Sequence, residues 1–147
     1  MVSVARAGLA DLDALASLFD AYRQFYREPS DIAGALAFLG ERLKNDESVI
    51  FLAYLDEKPA GFTQLYPVFT SVGMGRIWLL NDLYVAEVAR HQGVASALLN
   101  AARSHGASTG AKGLTLETEK TNTPARTLYE REGWVRQANH YWYDLTL

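Results

Sequence analysis

The apolar residues of this chain recur with two different periods, and the order of the two periods restricts the fold. Over residues 12–43 they recur every three to four positions, which predicts two amphipathic helices. Over residues 49–85 they form short runs of strand length, broken at Asp56-Glu57-Lys58-Pro59 and at Gly73-Met74-Gly75. Helical and extended segments then alternate, so we expect helices layered against a mixed sheet.

We predict the element order β-α-α-β-β-β-α-β-α-β-β, an α/β domain of the layered α+β kind with a mixed, mostly antiparallel central sheet flanked by helices. Residues 3–6 form the first strand, and Asp11 caps the first helix. Pro29 ends that helix and Ser30 caps the second. The later elements are a helix over about residues 93–109, a strand over 114–118, a helix over 124–132 and one or two closing strands from Trp134. No linker divides residues 1–147, so we predict a single domain.

Composition excludes several kinds of protein. The formal net charge of -3 argues against nucleic-acid binding, which usually needs a basic face. The absence of cysteine excludes disulfides and a cysteine nucleophile, and His91, His105 and His140 lack the spacing of metal ligands. No signal peptide and no apolar run of roughly 20 residues is present, so we expect a cytoplasmic protein that neither enters nor binds a membrane.

The most informative segment covers residues 80–99, where a buried strand leads through a basic turn into a helix. Gly93 and the small Ala95 leave room for a phosphate to approach the unpaired amides at the helix start. Arg90 adds a positive charge beside them. The segment predicts a pyrophosphate site. The alternative is a strand-turn-helix whose glycine only eases the bend.

Two motifs in this half of the chain resemble those of the GNAT superfamily of acyl-CoA-dependent N-acyltransferases. Arg90-x-x-Gly93-x-Ala95 is similar to the first family signature, Arg/Gln-x-x-Gly-x-Gly/Ala. The second family signature is Asn-x-x-Ala-x-x-Leu-Tyr-x-x-x-Gly-Phe, and it resembles residues 122–134, with Trp134 in place of the final phenylalanine. The resemblance covers about residues 77–143, and the upstream order of elements agrees with the family fold.

The resemblance implies a set of contacts to acetyl-CoA as co-substrate, with no metal. Backbone groups of Leu83, Tyr84 and Val85 would pair with the pantetheine arm as an added strand. Asn122 and Ala125 at the start of the last helix would lie along the other side of the arm. The pyrophosphate would be held by Arg90 and by the amides of His91, Gln92, Gly93, Val94, Ala95 and Ser96.

Acyl transfer from a thioester to an amine also needs proton transfer. The resemblance favours Tyr129 as the acid that protonates the leaving thiolate, because a phenol is uncharged at neutral pH. Many relatives carry a glutamate base where this chain has Asn81, and an amide cannot accept a proton. Asp82 is the neighbouring carboxylate, although strand alternation places it on the other face unless a bulge intervenes. Glu117, Glu119 and a chain of water molecules are the remaining candidates for the base.

The resemblance implies a small-molecule or peptide amine as the acceptor, and the chain faintly resembles the polyamine- and histone-acetylating branch. An aromatic, mildly acidic wall would suit a cationic amine, and the same side chains could instead fill the core or a dimer interface. Because the glutamate is missing, the alternative function is a non-catalytic module that binds acyl-CoA as a sensor. The aromatic segment of residues 141–147 predicts an edge strand that is covered in a homodimer. The candidate wall residues are Tyr22, Phe25, Tyr26, Glu28, Tyr66 and Phe69.

Overall fold

Five strands form one sheet in the structure, a computed structural model that describes residues 1–147. Their spatial order follows the chain, and neighbours are antiparallel except for the last, parallel pair. The mixed, mostly antiparallel sheet predicted from the sequence is therefore confirmed. The strands are β1 (Val2–Arg6), β2 (Val49–Leu55), β3 (Lys58–Thr70), β4 (Gly75–Val85) and β5 (Leu114–Thr115).

The helices cover both faces of this sheet. On one face, Leu15, Leu18 and Leu39 pack on Ile50, Leu52 and Phe62, which joins α1 (Leu12–Phe25) and α2 (Ile32–Lys44) to β2 and β3. On the other face, α3 (Val94–Ser108) packs Val94 and Leu98 against Ala53 and Ala60. None of the helices has the length and apolar character that a membrane-spanning helix requires.

Two helix starts differ from the sequence prediction. Asp11 does precede α1, but its carboxylate accepts from the amide of Gly8, 2.9 Å away, in the preceding 3-10 turn. Asp31, and not Ser30, caps α2 by accepting from the amide of Gly34 at 2.9 Å. The hydroxyl of Ser30 instead donates to the buried carboxylate of Asp20 at 2.7 Å, which ties the connection between the helices to α1.

A β-bulge interrupts the pairing of β3 with β4. Gln64 pairs with Asp82 but Leu65 pairs with Leu80, so Asn81 is an extra residue on β4. The bulge changes which residues face which layer. Before it, Trp78 lies on the α3 side against His105; after it, Tyr84 lies on the α1 side against Tyr22. Asp82 shares the side of Tyr84 because strand residues two positions apart share a face.

The chain divides into two compact units, Met1–Glu117 and Thr118–Leu147. The smaller contains α4 (Thr123–Arg131), which Asn122 caps by accepting from the amide of Ala125 at 3.3 Å. Thr123, whose hydroxyl makes it a possible cap from the sequence, is instead the first residue of the helix. The predicted closing strands from Trp134 are wrong, because no strand follows β5. Tyr141, Trp142 and Tyr143 are 80–90% exposed.

Candidate active site

A buried carboxylate lies at the bulge of β4. The Asp82 side chain is almost fully buried, and Gln64 donates to its Oδ2 at 2.8 Å. Asn81, the bulged residue, donates to Oδ1 at 3.2 Å. Tyr22 of α1 also hydrogen-bonds to this carboxylate. Three side chains from three elements therefore hold the one predicted catalytic carboxylate that is buried; the alternatives Glu117 and Glu119 are exposed.

The surroundings change the proton affinity of two groups here. Burial raises the pKa of Asp82, and the hydrogen bonds from Gln64, Tyr22 and Asn81 act in the opposite direction. Burial, together with the charge of Asp82, raises the pKa of Tyr66 to about 12. The Tyr66 phenol therefore stays neutral, whereas a carboxylate with a raised pKa is a better proton acceptor than an exposed one.

One edge of β4 is open beside this carboxylate. The short strand β5 pairs only with Trp78 and Leu79, at the beginning of β4. From Leu80 to Val85 the strand has β3 on one side and no strand on the other. An unpaired strand edge can take an extended ligand through backbone hydrogen bonds. The predicted pantetheine contacts Leu83, Tyr84 and Val85 all lie on this open stretch.

The turn that follows β4 leads to the start of α3. His91 and Gly93 both have positive φ values, 62° and 84°, and alternating backbone conformations of this kind make concave sites for anions. Gly93 is the N-cap residue and no side chain caps the helix. A Cβ at Gly93 would meet nothing within 4 Å. The amides of Val94 and Ala95, at the start of the helix, have no acceptor within α3.

Arg90 is held by the protein itself. Its Nε donates to the carbonyl of Val85 at 3.1 Å, and its guanidinium lies over the rings of Phe25 and Tyr84, 5.7 and 5.9 Å from their centroids. The end of α1, the end of β4 and the turn before α3 are thus joined through one side chain. This position keeps the Arg90 charge close to the start of α3.

The structure brings together part of the predicted acceptor wall. Tyr22 packs edge-on against Tyr26, with ring centroids 5.2 Å apart, and Phe25 packs in the same way on Tyr26. Phe69 does not belong to this group. Strand alternation places it on the α3 side of the sheet, where Arg76 lies 5.2 Å above its ring. Glu28 is exposed and pairs with Arg23 at 3.9 Å.

A separate cavity of about 320 Å³ lies on the α3 side of the sheet. It contains none of the residues predicted for the cofactor or for catalysis. His105, at its wall, has a buried Nε2 without a hydrogen-bond partner. The lining residues are Arg6, Asp46, Ser48, Val49, Pro67, Arg76, Trp78, His105 and Thr109.

The remaining predicted residues lie in the smaller unit. Tyr129 lies in α4, with its ring 6.3 Å from that of Trp134, and its carbonyl accepts from the Trp134 amide at 2.9 Å. Asn122 and Ala125 form the cap of the same helix. The side chain of Asn122 is thus already used in folding, and its backbone is too: its amide donates to the Glu119 carbonyl at 3.0 Å and its carbonyl accepts from the Arg126 amide at 3.1 Å.

Sequence reasoning missed Gln64 and Ser48. Both are buried, and Ser48 donates to the Gln64 Oε1 at 2.7 Å. A signal was present, because Thr63-Gln64 interrupts an otherwise apolar central strand. A buried amide in such a strand needs partners, so it indicates a polar group nearby on the neighbouring strand.

Comparison with known proteins agrees with this geometry. The model of the acetyltransferase (GNAT) family matches residues 15–134. An uncharacterised N-acetyltransferase of Bacillus subtilis (strain 168), YhfO, is 47% identical over 146 residues, which cover 99% of this chain and 98% of that protein. A crystal structure of a probable acetyltransferase has a TM-score of 0.93 and 41% identity, covering 99% of this chain and 97% of that one.

A more distant structure shares the fold. An aminoglycoside N-acetyltransferase in complex with CoA has a TM-score of 0.82 and 18% identity, covering 100% of this chain and 96% of that one. With its open β4 edge, its glycine-containing turn and its match over most of its length, this chain belongs to the GNAT acetyltransferase family. Its activity is acyl-CoA-dependent acetyl transfer to nitrogen.

Proposed function

We propose that this enzyme transfers an acetyl group from acetyl-CoA to the primary amine of a small molecule, such as a polyamine, or of a peptide. The observation that carries the proposal is the buried Asp82 carboxylate beside the open edge of β4. A proton acceptor and a place for an extended thioester ligand lie on the same short stretch of one strand. The family match from residue 15 to 134 spans both compact units, which supports treating residues 1–147 as one catalytic domain.

The acetyl-CoA site would be built from backbone. Leu83, Tyr84 and Val85 would hydrogen-bond the pantetheine arm along the open edge of β4. The pyrophosphate would meet the amides of residues 91–96 at the positive end of α3, with Arg90 beside them. Asn122 and Ala125 would line the other side of the arm. The open space at Gly93 and the relative solved with CoA support this arrangement.

Asp82 would act as the general base. Its buried carboxylate accepts the proton that the amine loses as its nitrogen attacks the thioester carbonyl, and the raised pKa of Asp82 makes it a better acceptor than an exposed aspartate. Tyr129 would return a proton to the sulfur as the carbon–sulfur bond breaks, so that free CoA leaves as a thiol. Each group changes its protonation state by one proton, and exchange with water restores both.

The acceptor would approach over the aromatic residues of α1. Tyr22, Phe25 and Tyr26 lie next to one another, and Tyr22 also contacts Asp82. Aromatic faces attract cationic groups, so an amine with further positive charges, such as a polyamine, suits this surface. The aminoglycoside acetyltransferase with the same fold acts on a molecule of that kind.

We also propose a cytoplasmic homodimer. Acetyl-CoA is made and used inside the cell, and an enzyme that consumes it would work there. Five apolar or aromatic side chains near the end of the chain are at least 80% exposed: Tyr141, Trp142, Tyr143, Leu145 and Leu147. A second copy of the chain would bury this surface in a dimer interface. Light scattering at tens of micromolar should give about twice the chain mass of 16.3 kDa; a monomer mass contradicts the dimer.

A release assay tests the activity and separates it from a non-catalytic sensor. Free thiol is measured with acetyl-CoA and a panel of spermidine, an aminoglycoside, a lysine-containing peptide and a peptide with a free amino terminus. Turnover on at least one amine is expected. Acetyl-CoA binding without turnover on any of them would support the sensor instead.

Gly93→Glu tests the pyrophosphate site, because it places bulk and negative charge in front of the α3 amides. Acetyl-CoA binding measured by calorimetry should be lost. Gly110→Glu is a matched control, since Gly110 also has a positive φ (69°) and open space around a Cβ but follows α3 instead of starting it. Equal affinity in the two folded variants would contradict the assignment.

Tyr129→Phe tests the acid. The variant keeps the ring and loses the hydroxyl, so kcat at saturating amine should fall about 10²–10⁴-fold with little change in acetyl-CoA affinity. Tyr54→Phe, in the larger unit, serves as the control for loss of a phenol. Normal kcat in Tyr129→Phe across a pH series would leave water as the proton source.

A further inference from the structure

Two buried polar residues with no assigned role lie behind the catalytic carboxylate. The Ser48 hydroxyl donates to Gln64 Oε1 at 2.7 Å, and Gln64 Nε2 donates to Asp82 Oδ2 at 2.8 Å. Gln64 is fully buried and Ser48 almost so, in a layer otherwise made of leucine, isoleucine and phenylalanine. Polar groups are rarely placed in such a layer unless each finds its partner.

The two hydrogen bonds that connect Ser48, Gln64 and Asp82 run in one direction, from Ser48 to Asp82. Ser48 donates to the carbonyl end of the Gln64 amide, which turns the NH₂ end toward Asp82. The other two groups on the carboxylate are Asn81, which donates through Nδ2, and Tyr22, whose hydrogen bond favours the ionised form. A network made only of donors is complementary to an ionised carboxylate and not to a protonated one.

The number of donors also matters. An ionised carboxylate has about four acceptor positions, and Gln64, Asn81 and Tyr22 use three of them. One position is left for a proton of the incoming amine. The carboxylate is therefore fixed in rotation, with its remaining lone pair in a defined direction.

We propose that Gln64, itself oriented by Ser48, is a positioning residue that fixes the rotation of the Asp82 carboxylate and favours its ionised form. The inference rests on the proposed role of Asp82 as the base. Among the other ionisable groups around the carboxylate, Tyr22 also favours the ionised form through its hydrogen bond. Tyr22 of α1 and Tyr66 of β3 are phenols, and Arg42 of α2 and the following Glu47 act on Tyr66.

Gln64→Met tests the proposal, because it keeps the length of the side chain and removes the donor. Loss of one hydrogen bond to a charged group should reduce kcat/KM at neutral pH roughly tenfold. The acid limb of the pH profile should move to higher pH, since the Gln64 bond lowers the pKa of Asp82. Ser48→Ala should shift the limb in the same direction by less. The acceptor is the panel amine with the highest turnover.

Thr63→Val is the matched control. Thr63 is equally buried on the same strand, and its hydroxyl donates at 2.7 Å to the backbone carbonyl of Asp82 and not to its carboxylate. The variant loses a buried hydrogen bond to the same residue, so its stability should fall while its pH profile keeps the wild-type acid limb. A shift in Thr63→Val as large as in Gln64→Met would overturn the proposal.

A second readout needs no acceptor. A titration of the Asp82 carboxyl carbon by ¹³C NMR should give a higher midpoint in Gln64→Met than in the wild type, and an unchanged midpoint overturns the inference. If Gln64→Met does not fold, Ser48→Ala decides by the same criterion. Full activity in Asp82→Asn would instead refute the base itself, so the two failures are distinguishable.

Discussion

Each face of the sheet carries an ionisable side chain with a buried polar atom, and the two side chains differ in their hydrogen bonding. On the α1 face, Asp82 receives hydrogen bonds from three side chains and adjoins an open strand edge. On the α3 face, His105 packs between Trp78 and Phe51, and its Nε2 has no partner. Burial alone therefore does not define a site. A candidate catalytic group is distinguished by hydrogen-bond partners that orient it and by an adjacent place for a ligand, and Asp82 has both.

The pH dependence of stability should differ in sign between the faces. Burial raises the pKa of Asp82, so the unfolded chain holds fewer protons there, and stability falls as the pH rises from about 4 through the folded pKa. Burial, with Arg6 nearby, lowers the pKa of His105. The folded state then binds fewer protons at His105, so stability falls as the pH drops below about 6.5.

The largest expected effect comes from Asp82→Asn, which removes the proposed base. We expect kcat to fall about 10²–10⁴-fold. The variant should fold at neutral pH, because the new side chain keeps the size and shape of the carboxyl group and one of its two acceptor oxygens. Thiol release and thermal unfolding measure the two properties. Glu117→Gln, at an exposed alternative base, is the control; a loss there equal to that of Asp82→Asn would contradict the comparison of buried with exposed carboxylates.

A smaller effect is expected from Tyr22→Phe on the α1 face. The variant keeps the contacts of the ring with Phe62 and Tyr84 but loses the hydrogen bond to Asp82, so kcat/KM should decrease roughly tenfold. Phe69→Leu, on the α3 face, should leave kcat/KM within about twofold, because its contact is with Arg76. Steady-state kinetics measure kcat/KM for both variants. A larger loss of kcat/KM in Phe69→Leu than in Tyr22→Phe would contradict the difference between the two faces.

The smallest effect should come from His105→Leu on the α3 face. Removing a buried nitrogen without a partner should raise Tm by roughly 2–4 °C at pH 6. The decrease of Tm between pH 7 and 5 should also become shallower, because this histidine no longer takes up a proton on unfolding. A Tm series over that range measures both, with kcat as a check that the active site is intact. An unchanged slope would show that other groups set the acid sensitivity.

The sequence was sufficient for the layered fold and for the order of helices and strands through α4, since periodicity follows directly from which side chains must be buried. It was less reliable where neighbouring residues compete for one role. Ser30 and Asp31 can both cap a helix, as can Asn122 and Thr123, and only the backbone path decides between them. The aromatic pattern after Trp134 predicted strands, but a strand exists only with a partner, and none pairs with it within the chain.

The sequence predicted which residues belong to the candidate site better than it predicted how they are arranged. Asp82 could be named as a carboxylate beside Asn81, but its position on the α1 face depends on a bulge that alternation alone does not reveal. Gln64 was absent from the prediction because the role proposed for it depends on Asp82, on the next strand, and on Ser48, which lies just before β2. Such groups are found from the sequence only by asking why a polar residue interrupts a buried strand.

The bulge at Asn81 makes this enzyme sensitive to the deletion of a single residue, a change that substitutions do not test. Deleting that single codon would leave every remaining side chain of β4 intact, yet it would reverse the facing of the residues that follow. Asp82 and Tyr84 would turn toward α3, and Leu83 and Val85 toward α1. One in-frame deletion would thus replace the residues that line the candidate active site with residues of the core. The length of β4, as much as its composition, is therefore needed for the proposed site.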